Sequence, residues 1–335
     1  MYLISPNKRQ YKANLHCHST LSDGKKTPEQ LKEIYKRKGY SILAITDHEY
    51  PKKHTELSDC DFILITGYES YIRPYHKYDA YGSEVHINFF SKDPDNVTMV
   101  CYDDRYIKYI PKDQRENIRR VGESNLRVYS PEYINYMVKT AKENGMIATY
   151  NHPFWSMESE ADVLAYEGFC SMEMCNYSSY VENRAEYNAG LYDKLLCSGK
   201  RIACHSADDN HNRREDGTPG CDSFGGFAMI MPESFEYGAI IDAIEAGEMY
   251  SSMGPTFYEV SIEGNKVHIE CSPVKHIAAF TGSKSPKCAF APVGEFITSA
   301  DFELDDRAKF LRVSITDAEG KHADTRGYFR DELDF

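Results

Sequence analysis

The chain reads as an α/β protein with a small all-β appendage, and three observations carry that reading. Short apolar runs alternate with helical patterns up to about residue 250, the texture of strand-helix-strand units around a mostly parallel sheet or barrel. After Gly254-Pro255 the alternation continues without helices, as in a β-sandwich-like domain. The chain has 335 residues, 41% of them apolar, enough to bury the core of one large domain and one small one.

Taken in order, residues 11–16 read as a first strand. A helix over 28–38 follows, with apolar Leu31, Ile34 and Tyr35, Thr27 as N-cap, Pro28 at the first position and Gly39 as the stop. Residues 41–46, 61–66 and 84–90 are rich in β-branched and aromatic types and read as strands. From about 91 to 130 the pattern dissolves into Asp- and Arg-rich sequence with several tyrosines, too long for an ordinary connection, so a lid or excursion over the site is expected. Alternation resumes with a helix over 130–144, strands over 146–150 and 169–174, a helix over 180–198, strands over 201–205 and 224–231, and a helix over 235–246. Beyond 254, alternation at 257–270, 275–280 and 309–316, punctuated by Gly-Asn and Glu-Gly turn signals, makes the β domain. The expected division is 1–254 and 255–335, with the acidic stretch 301–306 as a solvated loop.

Composition removes several function classes. A net charge of -13 and a pI near 5.4 leave no basic face for long nucleic acid or for an anionic membrane surface. No apolar run approaches the roughly 18 residues of a membrane span, and residues 1–11 lack the apolar stretch of a signal peptide, so a soluble cytoplasmic protein is expected. Ten scattered cysteines without a C-x-x-C pair fit reduced thiols in that compartment. Cys17 and Cys204, close to the motifs below, read as small buried residues rather than ligands. Oligomeric state leaves no mark in the sequence.

Chemistry is announced by where His, Asp and Glu fall relative to the strands. His16 and His18 stand two apart at the end of the first strand, where alternate side chains share a direction and two imidazoles can grip one ion. Asp23 follows in a Ser-Asp-Gly turn. The second strand ends in Thr46-Asp47-His48 and the third in Gly67-Tyr68-Glu69, at the strand ends where barrel sites are built. His86 lies within the next strand, Asn151-His152-Pro153 closes a later one, and Asp209-Asn210-His211 follows the strand at 201. Each has an ordinary alternative: a strand-end His satisfied by a carbonyl, a surface Glu, an Asp capping a turn. Nine such coincidences in one order are improbable.

The ordered set H-x-H-S, S-D-G, T-D-H, G-x-E, a strand His, H-P and D-x-H resembles the PHP family, named for polymerase-associated and histidinol phosphatase domains, over about residues 10–250. The resemblance implies a distorted (β/α)7 barrel and three metal positions. His16, His18, Glu69 and Asp209 would hold the first ion; Glu69 would bridge to a second held also by His86 and His152; Asp23, His48 and His211 would hold the third. Residues 247–255 and the strands after them are similar to the branch named after a carbaryl-hydrolysing esterase, in which a β domain trails the barrel.

The expected function is a metal-dependent phosphoesterase that hydrolyses a small phosphorylated metabolite or nucleotide with metal-activated water. It would use two to three divalent ions; imidazole and carboxylate ligands suit zinc, manganese and iron alike. No G-x-S-x-G or Cys-His signature supplies a protein nucleophile. Glu69 and Asp47 are the catalytic candidates, Asp47 as a group that orients a ligand imidazole or accepts a proton. Glu173 and Asn176 should face the same mouth, and Arg213 and Arg214 could clamp a phosphate. The rival readings are a carboxyl or carbamate ester hydrolase and a non-catalytic metal-containing binding module.

Overall fold

The computed structural model of the chain describes residues 1–74 and 82–333. Strand β1 (Tyr2–Ile4) precedes β2 (Tyr11–Asn14), helix α1 (Pro28–Arg37), β3 (Ile42–Ile45), β4 (Ile63–Ile72) and β5 (Val85–Ser91). The 91–130 excursion contributes the two-residue strands β6 (Met99–Val100) and β7 (Arg120–Val121). After it come α2 (Pro131–Glu143), β8 (Met146–Tyr150), α3 (Glu160–Ala165), β9 (Ser171–Asn176), α4 (Tyr177–Asn183) and α5 (Ala189–Cys197). The α/β portion ends with β10 (Ala203–Ala207), β11 (Phe227–Ile230), α6 (Tyr237–Ala246) and β12 (Met249–Ser252).

Local chemistry explains α1. Thr27 accepts from the Gln30 amide while the Gln30 side chain returns to the Thr27 amide, which satisfies two of the amides a helix start leaves orphaned. Lys36 and Arg37 sit at the negative end of its dipole, and Gly39 takes φ +78° to let the chain leave. Its buried Leu31 and Tyr35 pack on Leu43, Ile45 and Leu64, one face of the strands. The alternate residues Ile42, Ala44, Ile63 and Ile65 join Ala13, Ile147, Ala228 and Ile230 in a separate cluster, so these strands are buried on both faces.

The fold is a mixed α/β one with a large central sheet and a C-terminal sheet region. Among the described residues the central sheet runs β10-β9-β8-β5-β4-β3-β2-β11-β12 and then into C-terminal strands. β2, β3 and β4 are parallel, as are β8, β9 and β10, but β5 runs against both β4 and β8, and β11 against β2. The expected mostly parallel arrangement is therefore interrupted, because periodicity reports burial and is blind to strand direction. Just beyond β2 and β10 the chain segments meet: Cys17 and Asn210 form a parallel bridge, the Asp209 amide donates to the His16 carbonyl (2.9 Å) and the His18 amide to the Asn210 carbonyl (3.0 Å).

C-terminal strands are β13 (Phe257–Glu263), β14 (Lys266–Val274), β15 (His276–Phe280), β16 (Lys287–Phe290), β17 (Ile297–Glu303), β18 (Phe310–Thr316), β19 (His322–Thr325) and β20 (Tyr328–Phe329). β13, β14 and β17 make one sheet with β1, whereas β19, β18, β15 and β16 extend the central sheet from β12. Val260, Ile269, Ile277, Val313 and Ile315 fill the space between them. The acidic stretch expected as a loop is in part the strand β17, where Asp301 pairs with His268 across the ladder (2.8 Å). The expected helix over 180–198 is two helices: Arg184 takes φ +63°, and the break turns Glu186 inward. Among the described residues no helix is long and apolar enough to cross a membrane.

Candidate metal centre

His16 and His18 leave the end of β2 on the same side and present their Nε2 atoms 3.2 Å apart. Glu69, within β4, lies at the centre. Its Oε1 stands 3.1 Å from His16 Nε2, 2.9 Å from His86 Nδ1 and 3.4 Å from His152 Nε2; its Oε2 stands 2.9 Å from His48 Nδ1 and 3.4 Å from His18 Nε2. Asp209 Oδ1 lies 2.9 Å from His18 Nε2 and 3.2 Å from His16 Nε2. Asp23 Oδ1 faces His211 Nε2 at 3.3 Å and His48 Nε2 at 3.7 Å. The fold thus gathers all nine metal candidates, drawn from six stretches of chain, around one pocket.

The donor atoms fall into overlapping groups in which each lies within 4.8 Å of the others: His16, His18 and Glu69; His48, Glu69 and His86; and His18, Asp23, His48 and His211. His18, His48 and Glu69 each reach into two groups, while Asp209 and His152 fall in none of them, so the grouping differs from the threefold division expected from the sequence. His152 approaches through Glu69.

These residues fit divalent ions. Buried Asp23 Oδ1, His48 Nδ1, Glu69 Oε2 and Asp209 Oδ1 face one another and the neighbouring ring nitrogens at these distances, but none has a well-aligned hydrogen bond among the described residues, the arrangement expected of donors that share a cation. Four imidazoles, moreover, have their outer nitrogen occupied. His16 Nδ1 meets Glu173 (2.7 Å), His86 Nε2 meets Glu84 (2.9 Å), His211 Nδ1 meets the Asp209 carbonyl (3.0 Å) and His152 Nδ1 meets Ser156 (3.2 Å). This is how metal-ligating histidines are oriented with one lone pair inward. His152 at φ +25° and Asp209 at φ +52° hold strained backbone, which persists only where the surroundings impose it.

Electrostatics divides the imidazoles. Burial, with His48 and His211 alongside, lowers His18 to about 4 and keeps it neutral. Burial also opposes charge on His86 and His211, but Glu69 and Glu84 raise the former to about 10, and Asp23 and Asp209 raise the latter to about 8. For Glu69 and Asp209 the burial cost is outweighed by the imidazoles around them, and both carboxyls lie well below their usual range.

Asp47 is buried one step behind the ring of imidazoles. It accepts from the Ser19 amide (2.8 Å) and from the Ser19 and Ser22 hydroxyls (2.6 Å each), and Ser22 Oγ also stands 3.4 Å from His18 Nδ1. Glu173 and Asn176, expected at the mouth, are instead fully buried behind the imidazoles, Asn176 donating to Glu173 (2.9 Å) and Asp209 (3.2 Å). Arg213 lies 3.6 Å from Asp23 at the rim, while Arg214 donates to the Pro219 carbonyl (2.9 Å), so the two do not form a joint clamp.

Several residues escaped sequence reasoning. Glu84 stands two before His86, a spacing that did signal a shared face. Glu49, with φ +51° directly after His48, is buried in a bidentate pair with Arg127 of the excursion; nothing in a separation of 78 residues announces it. Tyr109, also of the excursion, stacks on His48 at 6.1 Å. The pocket, about 270 Å³, is rimmed further by Tyr71, Arg73, Lys108 and Trp155.

A mixed α/β fold with a strand-end pocket of imidazoles and carboxylates able to bind divalent cations defines a class. Residues 14–141 match the PHP domain family. Among solved structures it is similar to a two-domain protein from Bacteroides vulgatus containing a predicted PHP-like metal-dependent phosphoesterase, at 13% identity and a TM-score of 0.46 over 97% of this chain and 96% of that one. A provisionally assigned metal-dependent phosphoesterase from Bifidobacterium adolescentis matches at 15% identity and TM-score 0.39, covering 62% of this chain and 90% of that one. An amidohydrolase from Chromobacterium violaceum with bound sulfate and no metal matches at 17% and 0.39, covering 62% and 93%. No curated protein matches the chain.

Proposed function

We propose that the protein is a metal-dependent phosphoesterase that hydrolyses a small phosphorylated metabolite or nucleotide. The observation that carries this reading is the gathering of six imidazoles and three carboxylates, Glu69, Asp23 and Asp209, around one pocket, with buried oxygens and nitrogens that lack a well-aligned hydrogen bond. Two to three zinc, manganese or iron ions bound there would supply Lewis acidity and bring the ionisation of water toward neutral pH. His16, His18, Glu69 and Asp209 would hold one ion, Glu69 with His86 and His152 another, and Asp23, His48 and His211 the third. Glu173, Glu84 and Ser156 keep the imidazoles facing inward. Asp47 fixes the Ser19–Ser22 turn and through it His18.

At the rim, Lys108, Arg73 and Arg213 stand among the carboxylates of the pocket, and bound divalent ions would turn the local field toward attraction for an anion. The same reading takes 1–254 as the hydrolase unit, a distorted (β/α)7 barrel joined across Cys17 and Asn210, and 255–335 as the trailing β domain of the carbaryl-hydrolase-like branch. The pocket belongs to a cytoplasmic enzyme of small substrates.

Purification without chelators, metal counting by plasma mass spectrometry, and phosphate release from a panel of phosphorylated metabolites test this, with Glu69→Ala alongside. Two or three metals per chain and phosphate release lost in the variant are expected. Turnover of carboxyl esters alone would replace the phosphoesterase by an acyl-ester hydrolase. Absence of metal under every loading condition would end the reading.

A further inference from the structure

We infer that the substrate carries an aromatic or heteroaromatic ring next to its reacting ester, and that Trp155 is the residue that selects it; this rests on the hydrolase reading above. Trp155 is the single tryptophan of the chain and stands on the pocket rim beside the metal candidates. Its indole packs edge-to-face with His152 (centroids 4.7 Å) and His86 (5.2 Å), yet 40% of the residue is exposed. Tyr71, 5.4 Å from His86, lines the same pocket. An indole left open at the mouth of a site forgoes burial that the fold could have claimed, and exposed apolar surface in that position marks recognition.

The platform is also fixed in place. The amides of Phe154 and Trp155 donate to the two carboxylate oxygens of Glu186 at 3.1 and 2.8 Å, and Glu186 is itself buried and held by Asn188 at 2.8 Å. The break between α4 and α5 is what turns Glu186 inward. With its backbone tied down, the loop spends little ordering entropy when a ring stacks on it. A pocket of about 270 Å³ has room for a phosphoryl group and one ring system.

Stacking on an aromatic side chain is sequence-tolerant and strengthens binding by roughly five- to hundredfold per ring. The test uses the metal-loaded protein with benzylphosphonate and cyclohexylmethylphosphonate, which cannot be hydrolysed and differ only in whether the ring is aromatic. Calorimetry should show the benzyl compound binding about tenfold more tightly, at the middle of that range, and only it should shift the emission of Trp155, which no second tryptophan obscures. Trp155→Leu should keep the metal count and erase the preference, while Trp155→Phe keeps part of it. The kcat/KM ratio for benzyl over cyclohexylmethyl phosphate should fall in the same order.

Equal affinities in the wild type, a preference that survives Trp155→Leu, or no binding of either phosphonate would overturn the inference. Selective binding of the benzyl compound without cleavage of any phosphate ester would instead remove the phosphoesterase reading and leave the ring preference standing. Phosphate release with no ring preference removes the ring preference alone.

Discussion

Glu173 sits behind the imidazoles yet holds three parts of the site together. One carboxylate accepts from His16 Nδ1 (2.7 Å), the His152 amide (2.7 Å) and Asn176 (2.9 Å), at full burial. Burial alone would raise its pKa, and the charge on His16 lowers it below the usual range. Glu173→Gln keeps the shape and removes the charge that sharpens the His16 lone pair, so metal affinity should fall about 10- to 100-fold in a chelator competition titration; unchanged affinity would show that His16 needs no such partner. A second residue sets a pH response. Glu158 closes the His152 loop by accepting from the hydroxyls of Tyr129, Tyr150 and Tyr166, and burial raises it to about 7 from an ordinary 4.5. Between those values the folded state holds a proton that the unfolded chain releases, so stability falls as pH rises from about 4.5 to about 7 and is level above, by at most about 3 kcal/mol. Glu158→Gln mimics the protonated form; the wild-type urea midpoint should decline relative to the variant across that window. Parallel profiles would contradict it.

Among elements, the excursion matters most. Its residues Met99, Val100, Cys101, Tyr102, Ile107 and Ile110 are buried in the core with Tyr68, Ile87 and Met137, so it is packed structure and not a loose flap. Arg127 anchors it: the guanidinium reaches both oxygens of Glu49 and the carbonyls of Cys101 (2.7 Å) and Tyr71 (3.1 Å), while Glu49 takes the Ser70 hydroxyl and Tyr71 amide at 2.9 Å each. Glu49 follows His48 directly, so this buried pair locks one metal candidate to the element that carries Lys108 and Tyr109. Arg127→Met leaves an uncompensated buried carboxylate and should cost about 3–5 kcal/mol in urea unfolding. The double variant with Glu49→Gln should recover most of that loss. A single variant within about 0.5 kcal/mol of wild type, the range of ordinary surface changes, would mean that the excursion is held by packing alone.

For the whole molecule, continuity of the sheet outweighs the texture change at Gly254-Pro255. β12 pairs on one side with β11 and on the other with β19, and β1 joins the C-terminal sheet. Arg312 of β18 is buried between two carboxylates, Asp193 of α5 (2.8 and 2.9 Å) and Asp324 of β19 (2.7 Å). Asp324 accepts from Tyr187 (3.0 and 3.1 Å), the neighbour of Glu186, which holds the Trp155 loop. A chain ended at Gly254 would expose the β12 edge and the apolar faces that Val313 and Ile315 cover, and edges of that kind aggregate. Such a chain should show no cooperative thermal transition and should bind a hydrophobic dye. Cooperative unfolding with the full metal complement would prove the α/β portion self-sufficient.

The sequence by itself determined the α/β alternation, the capped start of α1, the β texture after 254 and all nine metal candidates. These are local or periodic properties: two imidazoles two apart on a strand, a Thr before a Pro, an apolar stripe. Glu173 and Asn176 were legible for the same reason, at a strand end, and Glu84 could have been read from its spacing to His86. Tertiary structure alone decided the rest. The direction of β5 leaves no periodic trace, because alternation is the same in either orientation. The break at Arg184 overrides helical propensity, since an inward Glu186 satisfies two amides of a distant loop. Arg127 with Glu49, and Arg312 with Asp193 and Asp324, are buried charges whose partners are fixed by the fold and not by spacing, and the exposure of Trp155 is a property of a surface that exists only once the chain has closed around it.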